Sequence, residues 1–302
     1  MKAFVLSGGA NYGAIQVGAL QALLENDIYP DMLVGASAGA LNAAWFARQP
    51  NLEGLQQLER VWRQHAPGLY RQPGGVALLL RLVQGQDGLL TNTALERFIS
   101  KVIPPQVTFA DIRSPHLYVV AVRLRDGWLR VFGDHPEDHL MDALMASTAL
   151  PPLFPPWSVD GESYVDGGVL SNLPLQVAVE HGANEIYALD ISQPLGAVRK
   201  YLPHGVLTTA AQAVLLMHTR QVQVEIARVR ENPKVRLHYL SLKPTVDPGF
   251  WEFSMAPDLI ADGRQVVERY LAQEINHQPL SPLKWLRKQG RRFLGARTPP
   301  IK

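Results

Sequence analysis

Asp31-Met32-Leu33-Val34-Gly35-Ala36-Ser37-Ala38-Gly39-Ala40-Leu41 packs a strand, a turn and a helix start into one short stretch. Residues 31–34 read as a short buried strand. The five small residues 35–39 follow, and 40–48 form an alanine-rich helix. The segment before it repeats the same order. Residues 3–6 are an apolar run, 7–13 a glycine-rich turn, and 14–26 carry Ile15, Ala19, Leu20, Leu23 and Leu24 at helical spacing. Strand, turn and helix, twice over, predict a parallel sheet with right-handed crossovers. The expected fold class is α/β.

Further along, 52–65 and 93–101 predict helices, the second capped by Thr91 or Asn92. The apolar piece 76–83, set between glycines, fits either a core helix or a lid. Residues 117–124 and 128–132, joined by Arg125-Asp126-Gly127, give a hairpin signal. Residues 140–147 predict a helix that stops before Pro151-Pro152, and 164–166 a strand end. A helix at 174–181, a strand at 185–190, a long helix at 206–230, a strand at 235–242 and a helix at 259–274 complete the chain. The expected organisation is a 1–275 domain, with its motifs between 3 and 190, and a 276–302 tail.

The 302 residues, 47% of them hydrophobic, suffice for a large core. Cysteine is absent, which excludes disulfides and thiolate metal sites. The apolar start breaks at Ser7-Gly8-Gly9 and lacks the uninterrupted run of a signal peptide. No stretch approaches the roughly 18–20 apolar residues of a membrane span. A cytoplasmic chain, soluble or peripherally membrane-associated, is therefore expected. The net charge is +2, but 280–302 carry seven cations and no acid, so the rest is net acidic. That balance argues against a nucleic-acid partner.

Three turns carry chemistry. In Gly35-Ala36-Ser37-Ala38-Gly39 a serine sits where a strand turns sharply into a helix, and the helix dipole favours a developing alkoxide there. The segment fits a nucleophile or a structural turn with a capping serine. Ser7-Gly8-Gly9-Ala10-Asn11-Tyr12-Gly13 offers backbone N–H groups to an anion. It fits an oxyanion hole, a phosphate loop or a plain tight turn; the strict dinucleotide and P-loop patterns are missing. Both turns follow neighbouring strands, so both belong at the carboxyl edge of the sheet, where ligands bind. Asp166-Gly167-Gly168 lets a carboxylate reach into such a site, or is an ordinary turn. None of the nine histidines stands in a recognisable catalytic setting. His135 and His139 suit a solvated loop better than a metal site, because Pro136 lies between them. Ser37 also comes too early in the chain for the usual Ser–acid–His hydrolase order.

Taken in order, Gly8-Gly9-x-x-x-Gly13, Gly35-x-Ser37-x-Gly39 and Asp166-Gly167-Gly168 resemble the patatin-like phospholipase family. The stretches 38–41, 146–155 and 169–174 support the likeness, which covers roughly 3–190. The resemblance implies a three-layer α/β sandwich with a mainly parallel central sheet. It also implies a Ser–Asp dyad: Ser37 as nucleophile, Asp166 as general base, and the amides of Gly8, Gly9 and Ala10 as oxyanion hole. Gly13, Gly35, Gly39, Gly167 and Gly168 support these turns. No cofactor and no metal are implied. The family's Gly-Gly-Gly-x-Arg/Lys-Gly turn is altered here: Ala10 replaces the third glycine and Tyr12 the cation. Alanine still offers its N–H, provided its φ is negative. Losing the cation removes a charge that could steady the turn or meet an anionic head group.

The implied function is hydrolysis of lipid acyl esters through an acyl-enzyme. Two rivals stand beside it: a non-lipid carboxylesterase or thioesterase with the same dyad, and a catalytically weak lipid-binding regulatory protein. In the tail, Leu283, Trp285, Leu286, Phe293 and Leu294 interleave with the cations. Such a segment fits an anionic membrane surface or a solubilising tail.

Overall fold

Lys2–Leu6 (β1), Met32–Gly35 (β2) and Glu185–Asp190 (β7) are apolar along almost their whole length. Strands of that composition need cover on both faces, which parallel sheets receive from their crossover helices. The computed structural model describes residues 1–64, 81, 83–192, 206–246 and 253–277. Most of 76–83 and the basic tail from 278 lie outside them.

The first turns of chain run β1, a 3₁₀ turn at Ala10–Gly13, α1 (Ala14–Glu25), β2, α2 (Ala38–Arg48) and α3 (Leu52–Gln64). Then come α4 (Thr93–Val102), β3 (His116–Arg123), β4 (Leu129–Phe132), α5 (Leu140–Ser147), β5 (Trp157–Val159) and β6 (Glu162–Asp166). They are followed by α6 (Leu175–Glu180), β7, α7 (Val206–Arg230), β8 (Arg236–Ser241) and α8 (Ala256–His277). The expected hairpin forms, as β3 and β4 pair antiparallel. Asn92 is the N-cap residue of α4, but its side chain makes no capping hydrogen bond; its amide donates to the Pro155 carbonyl at 3.2 Å.

The sheet has eight strands in the order β5-β6-β3-β2-β1-β7-β8, with β4 also on β3. The centre, β3 to β8 through β1, is parallel, and β4, β5 and β6 add antiparallel pairings. Strand alternation sends Ala3, Val5, Met32, Val34, Ile186 and Ala188 to one face, where α6 and α7 cover them. Phe4, Leu6, Leu33 and Leu189 are fully buried on the other face, and α2 packs against β1, β2 and β3. Helix, sheet and helix make the three layers. The chain divides into two units, Met1–Val267 and Glu268–Lys302. All the strands belong to the first. Of the second, 268–277 are described, and they are helical.

Register places the candidate residues. Val119 pairs with both Gly35 and Phe132, and Ala121 with both Arg130 and Asp166. Strand β4 therefore occupies one edge of β3, and β2 and β6 share the other. They run toward each other along it and end at Gly35 and Asp166.

Candidate active site

Between β2 and α2 the chain must reverse direction in two residues. Ser37 does this with φ 52° and ψ −125°, a conformation side-chain-bearing residues rarely adopt. Such strain costs about 1–3 kcal/mol and persists only where the surroundings impose it. Here α2 is pressed against the sheet. A Cβ on Gly35 would come within 2.7 Å of the Ala40 backbone, and one on Gly39 would strike the carbonyls of Leu6 and Ser7. The Ser37 N–H donates to Ser147 Oγ at 2.9 Å, and its carbonyl accepts from Leu41 at 3.2 Å. Its hydroxyl makes no capping hydrogen bond, so the capping-serine reading fails. Ser37 is half-buried at the N-terminus of α2.

The glycine turn lies directly against it. A Cβ on Gly8 would sit 2.9 Å from Ser37 Cβ and 2.6 Å from Asn172 Oδ1. Asn172 holds Gly8 from both sides: its carbonyl accepts the Gly8 N–H at 3.0 Å, and its side-chain amide donates to the Gly8 carbonyl at 3.2 Å. The Gly8 amide, expected to serve an oxyanion, donates within the fold instead. Among the described residues, the Gly9 and Ala10 amides have no acceptor. Ala10 also departs from expectation. Its φ is +50°, not negative, so its N–H is presented at the cost of a left-handed alanine. Gly13 closes the turn where a Cβ would meet the Trp62 ring at 2.9 Å and Ala38 at 3.0 Å. Beneath it, buried Gln16 donates to the carbonyls of Ser7 and Leu189 and accepts from Asn42, which in turn accepts from Trp62.

Asp166 ends β6 and is 1% exposed. Its Oδ1 accepts the Gly168 N–H at 2.8 Å. Gly167 is required because a Cβ there would meet the Val120 carbonyl. Burial pushes the Asp166 carboxyl up to about 7, while the Ser37 hydroxyl and the Gly168 N–H pull it down. Oδ2, however, has no partner of regular hydrogen-bond geometry. Ser37 thus lies beside the carboxyl without being aligned on Oδ2. A carboxyl near 7 is a far better proton acceptor than an ordinary aspartate. The three turns bring together a strained serine, two unbonded amides and a buried carboxyl of raised basicity.

A family model for the patatin-like phospholipase domain matches residues 4–179, more than half of the chain. The chain belongs to the patatin-like phospholipase family. Ser37, Asp166 and both glycine-bearing turns fall inside the matched span. The chain is 29% identical over 190 residues to patatin-like phospholipase domain-containing protein 7 of Rattus norvegicus, covering 63% of this chain and 13% of that protein. It is 23% identical over 310 aligned positions to lysophospholipase nte1 of Aspergillus terreus, covering 93% of this chain and 18% of that one. The chain thus spans a small fraction of the length of these curated relatives. Among solved structures, VipD from Legionella pneumophila aligns over 90% of this chain and 67% of its own, with 16% identity and a TM-score of 0.48. Against the patatin-like pattern, the half-buried Tyr12 stands where the family carries a cation; its N–H donates to the Gly9 carbonyl at 3.1 Å.

Three site neighbours escape a motif reading. Asn172 and Ser147 lie in stretches that support the family likeness, but nothing local marks them as the clamp on Gly8 and the anchor of the Ser37 peptide. His218 lies far along α7, in no motif, and is 9% exposed. A Cβ on Gly168 would be 3.4 Å from its ring. Burial pushes its imidazole down to about 4. Two other described histidines lie in the following settings. His181 ends α6, held between the Val177 carbonyl and Asp134. His139 precedes α5 and lines a surface recess with Glu96, Asp142 and Trp157 that includes neither Ser37 nor Asp166. Among the described residues, no three His, Cys, Asp or Glu side chains converge as a metal site would require. Among them too, no helix is long and apolar enough to cross a membrane.

Proposed function

We propose that this chain is a lipid acyl hydrolase of the phospholipase or lysophospholipase type, working by a Ser37–Asp166 dyad. The observation that carries the reading is the meeting of Ser37, in its strained turn, with a buried carboxyl whose pKa lies near 7. Asp166 takes the Ser37 proton as Oγ attacks the ester carbonyl carbon. The carbonyl π pair moves onto oxygen, and the amides of Gly9 and Ala10 with the N-terminus of α2 stabilise that charge. Collapse breaks the bond to the alkoxide, which leaves with the proton from Asp166. Water then repeats the sequence on the acyl-enzyme, with Asp166 again as base. Family membership and the name of the Aspergillus relative support a lipid ester as substrate.

The test is hydrolysis of a chromogenic short-chain ester and of defined lysophospholipid micelles. Ser37→Ala and Asp166→Asn should each lose at least about a thousandfold in turnover while remaining folded. Full activity in either variant contradicts the dyad. Activity on the short ester alone favours a non-lipid esterase.

A further inference from the structure

We propose that His218 and Gln221 of α7, together with Asp166, hold the water that cleaves the acyl-enzyme; this rests on the dyad reading above. Helix α7 lies against the turn that follows Asp166. Gln221 donates its side-chain N–H to the Val169 carbonyl at 2.7 Å, and His218 precedes it by one helical turn. Asp166, His218 and Asn172 meet around the point where a Gly168 Cβ would sit. Asp166 Oδ1 is 3.1 Å from it, His218 Cε1 3.4 Å and Asn172 Oδ1 2.8 Å. The same Asn172 oxygen borders Gly8, which touches Ser37. Asn172 Oδ1 thus lies between the turn that follows Asp166 and the turn beside Ser37.

Each of the three side chains keeps one buried atom without a protein partner of regular hydrogen-bond geometry: Asp166 Oδ2, His218 Nε2 and Gln221 Oε1. Buried polar atoms of this kind are costly unless something bonds them. A water needs two to four polar partners, and these three complement one. Oδ2 and Oε1 each accept one of its protons. His218, with its proton on Nε2, donates to one lone pair. The second lone pair is left to attack the acyl carbon. Burial keeps His218 neutral, since its pKa falls to about 4. A neutral imidazole orients the water without placing a positive charge beside Asp166 that would lower its basicity.

In the step itself the water oxygen bonds to the acyl carbonyl carbon and one proton passes to Asp166. The carbonyl pair moves to the oxyanion and returns as the bond to Ser37 Oγ breaks. Ser37 recovers its proton from Asp166, and the carboxylic acid leaves. Formation of the acyl-enzyme uses no water, so the proposed water site matters only to the second half of the reaction.

The test uses the full chain and 4-nitrophenyl butyrate. His218→Phe should keep fluorophosphonate labelling of Ser37 and the first turnover of nitrophenolate within about twofold. Its steady-state rate should fall about 100-fold, with acyl-Ser37 accumulating in the intact mass. His218→Gln, which restores an N–H donor, should recover part of the rate. Gln221→Leu should reproduce the split and carries the test if His218→Phe does not fold. Unchanged steady-state turnover, or first turnover and steady state falling together, overturns the proposal. Absence of labelling in the unaltered chain overturns the dyad reading, and the water site with it.

Discussion

Gly35 and Asp166 face the same edge of β3, opposite Val119 and Ala121. The two partners are two residues apart, about 7 Å of strand. Strand β2 reaches this point from one direction and β6 from the other. A nucleophile just past Gly35 and a base at the end of β6 are thereby delivered to one place by backbone pairing. No long side chain has to bridge them, and the geometry does not call for a histidine between them.

A buried base near neutrality sets the pH dependence. Asp166 must be ionised to accept the Ser37 proton, and burial holds its carboxyl near 7. Initial-rate kcat/KM for ester hydrolysis should rise with pH through an apparent pKa of about 7. A rise centred near 4 would mean the base is a solvated carboxylate instead.

The same shift bears on stability. The folded pKa of Asp166, about 7, lies well above that of an ordinary aspartate, so the folded state holds its proton more tightly than the unfolded state. Stability from this group is therefore full below about 4 and is lost as pH rises through about 7. Asp166→Asn removes the buried charge. At pH 8 the variant should be more stable than the parent by up to a few kcal/mol, roughly, and its advantage should shrink toward pH 4. Denaturant melts at the two pH values check this, and equal stability at both contradicts it.

Ala10 occupies a position suited to glycine, with φ +50°. Ala10→Gly should raise stability by about 1 kcal/mol by relieving the left-handed strain, less the entropy of the freer unfolded chain. Turnover should be retained, because the N–H remains. A drop in melting temperature would show that the alanine methyl contributes packing that outweighs its strain.

Ser147 anchors the nucleophile's own peptide. Its Oγ accepts the Ser37 N–H at 2.9 Å, and it is fully buried. Ser147→Ala leaves that N–H without its acceptor, at a cost of about 1–3 kcal/mol. It should also lower kcat more than it raises KM, since the Ser37 turn loosens while the substrate contacts stay. A KM effect alone would place Ser147 in substrate binding.

Local patterns made much of this legible. The repeated strand–turn–helix order of the first fifty residues is realised in β1, α1, β2 and α2, because apolar strands and small-residue turns act over a few residues. The strained serine was foreshadowed by its small neighbours. What local pattern could not supply was hydrogen bonding across the chain. The Gly8 amide looked free in sequence but is bonded to Asn172, far away in the chain. The sign of the Ala10 φ is likewise set by how the turn packs, not by its composition. His218 shows the limit most clearly: a helical histidine gains meaning only when the helix is laid against the turn after Asp166.

The most direct measurement is peptide mapping of the chain after reaction with a fluorophosphonate, at a pH above 7. A single adduct on Ser37, formed by displacement of fluoride, is expected, with far slower labelling in Asp166→Asn. An adduct on another residue, or none under conditions where the folded chain hydrolyses esters, would contradict it.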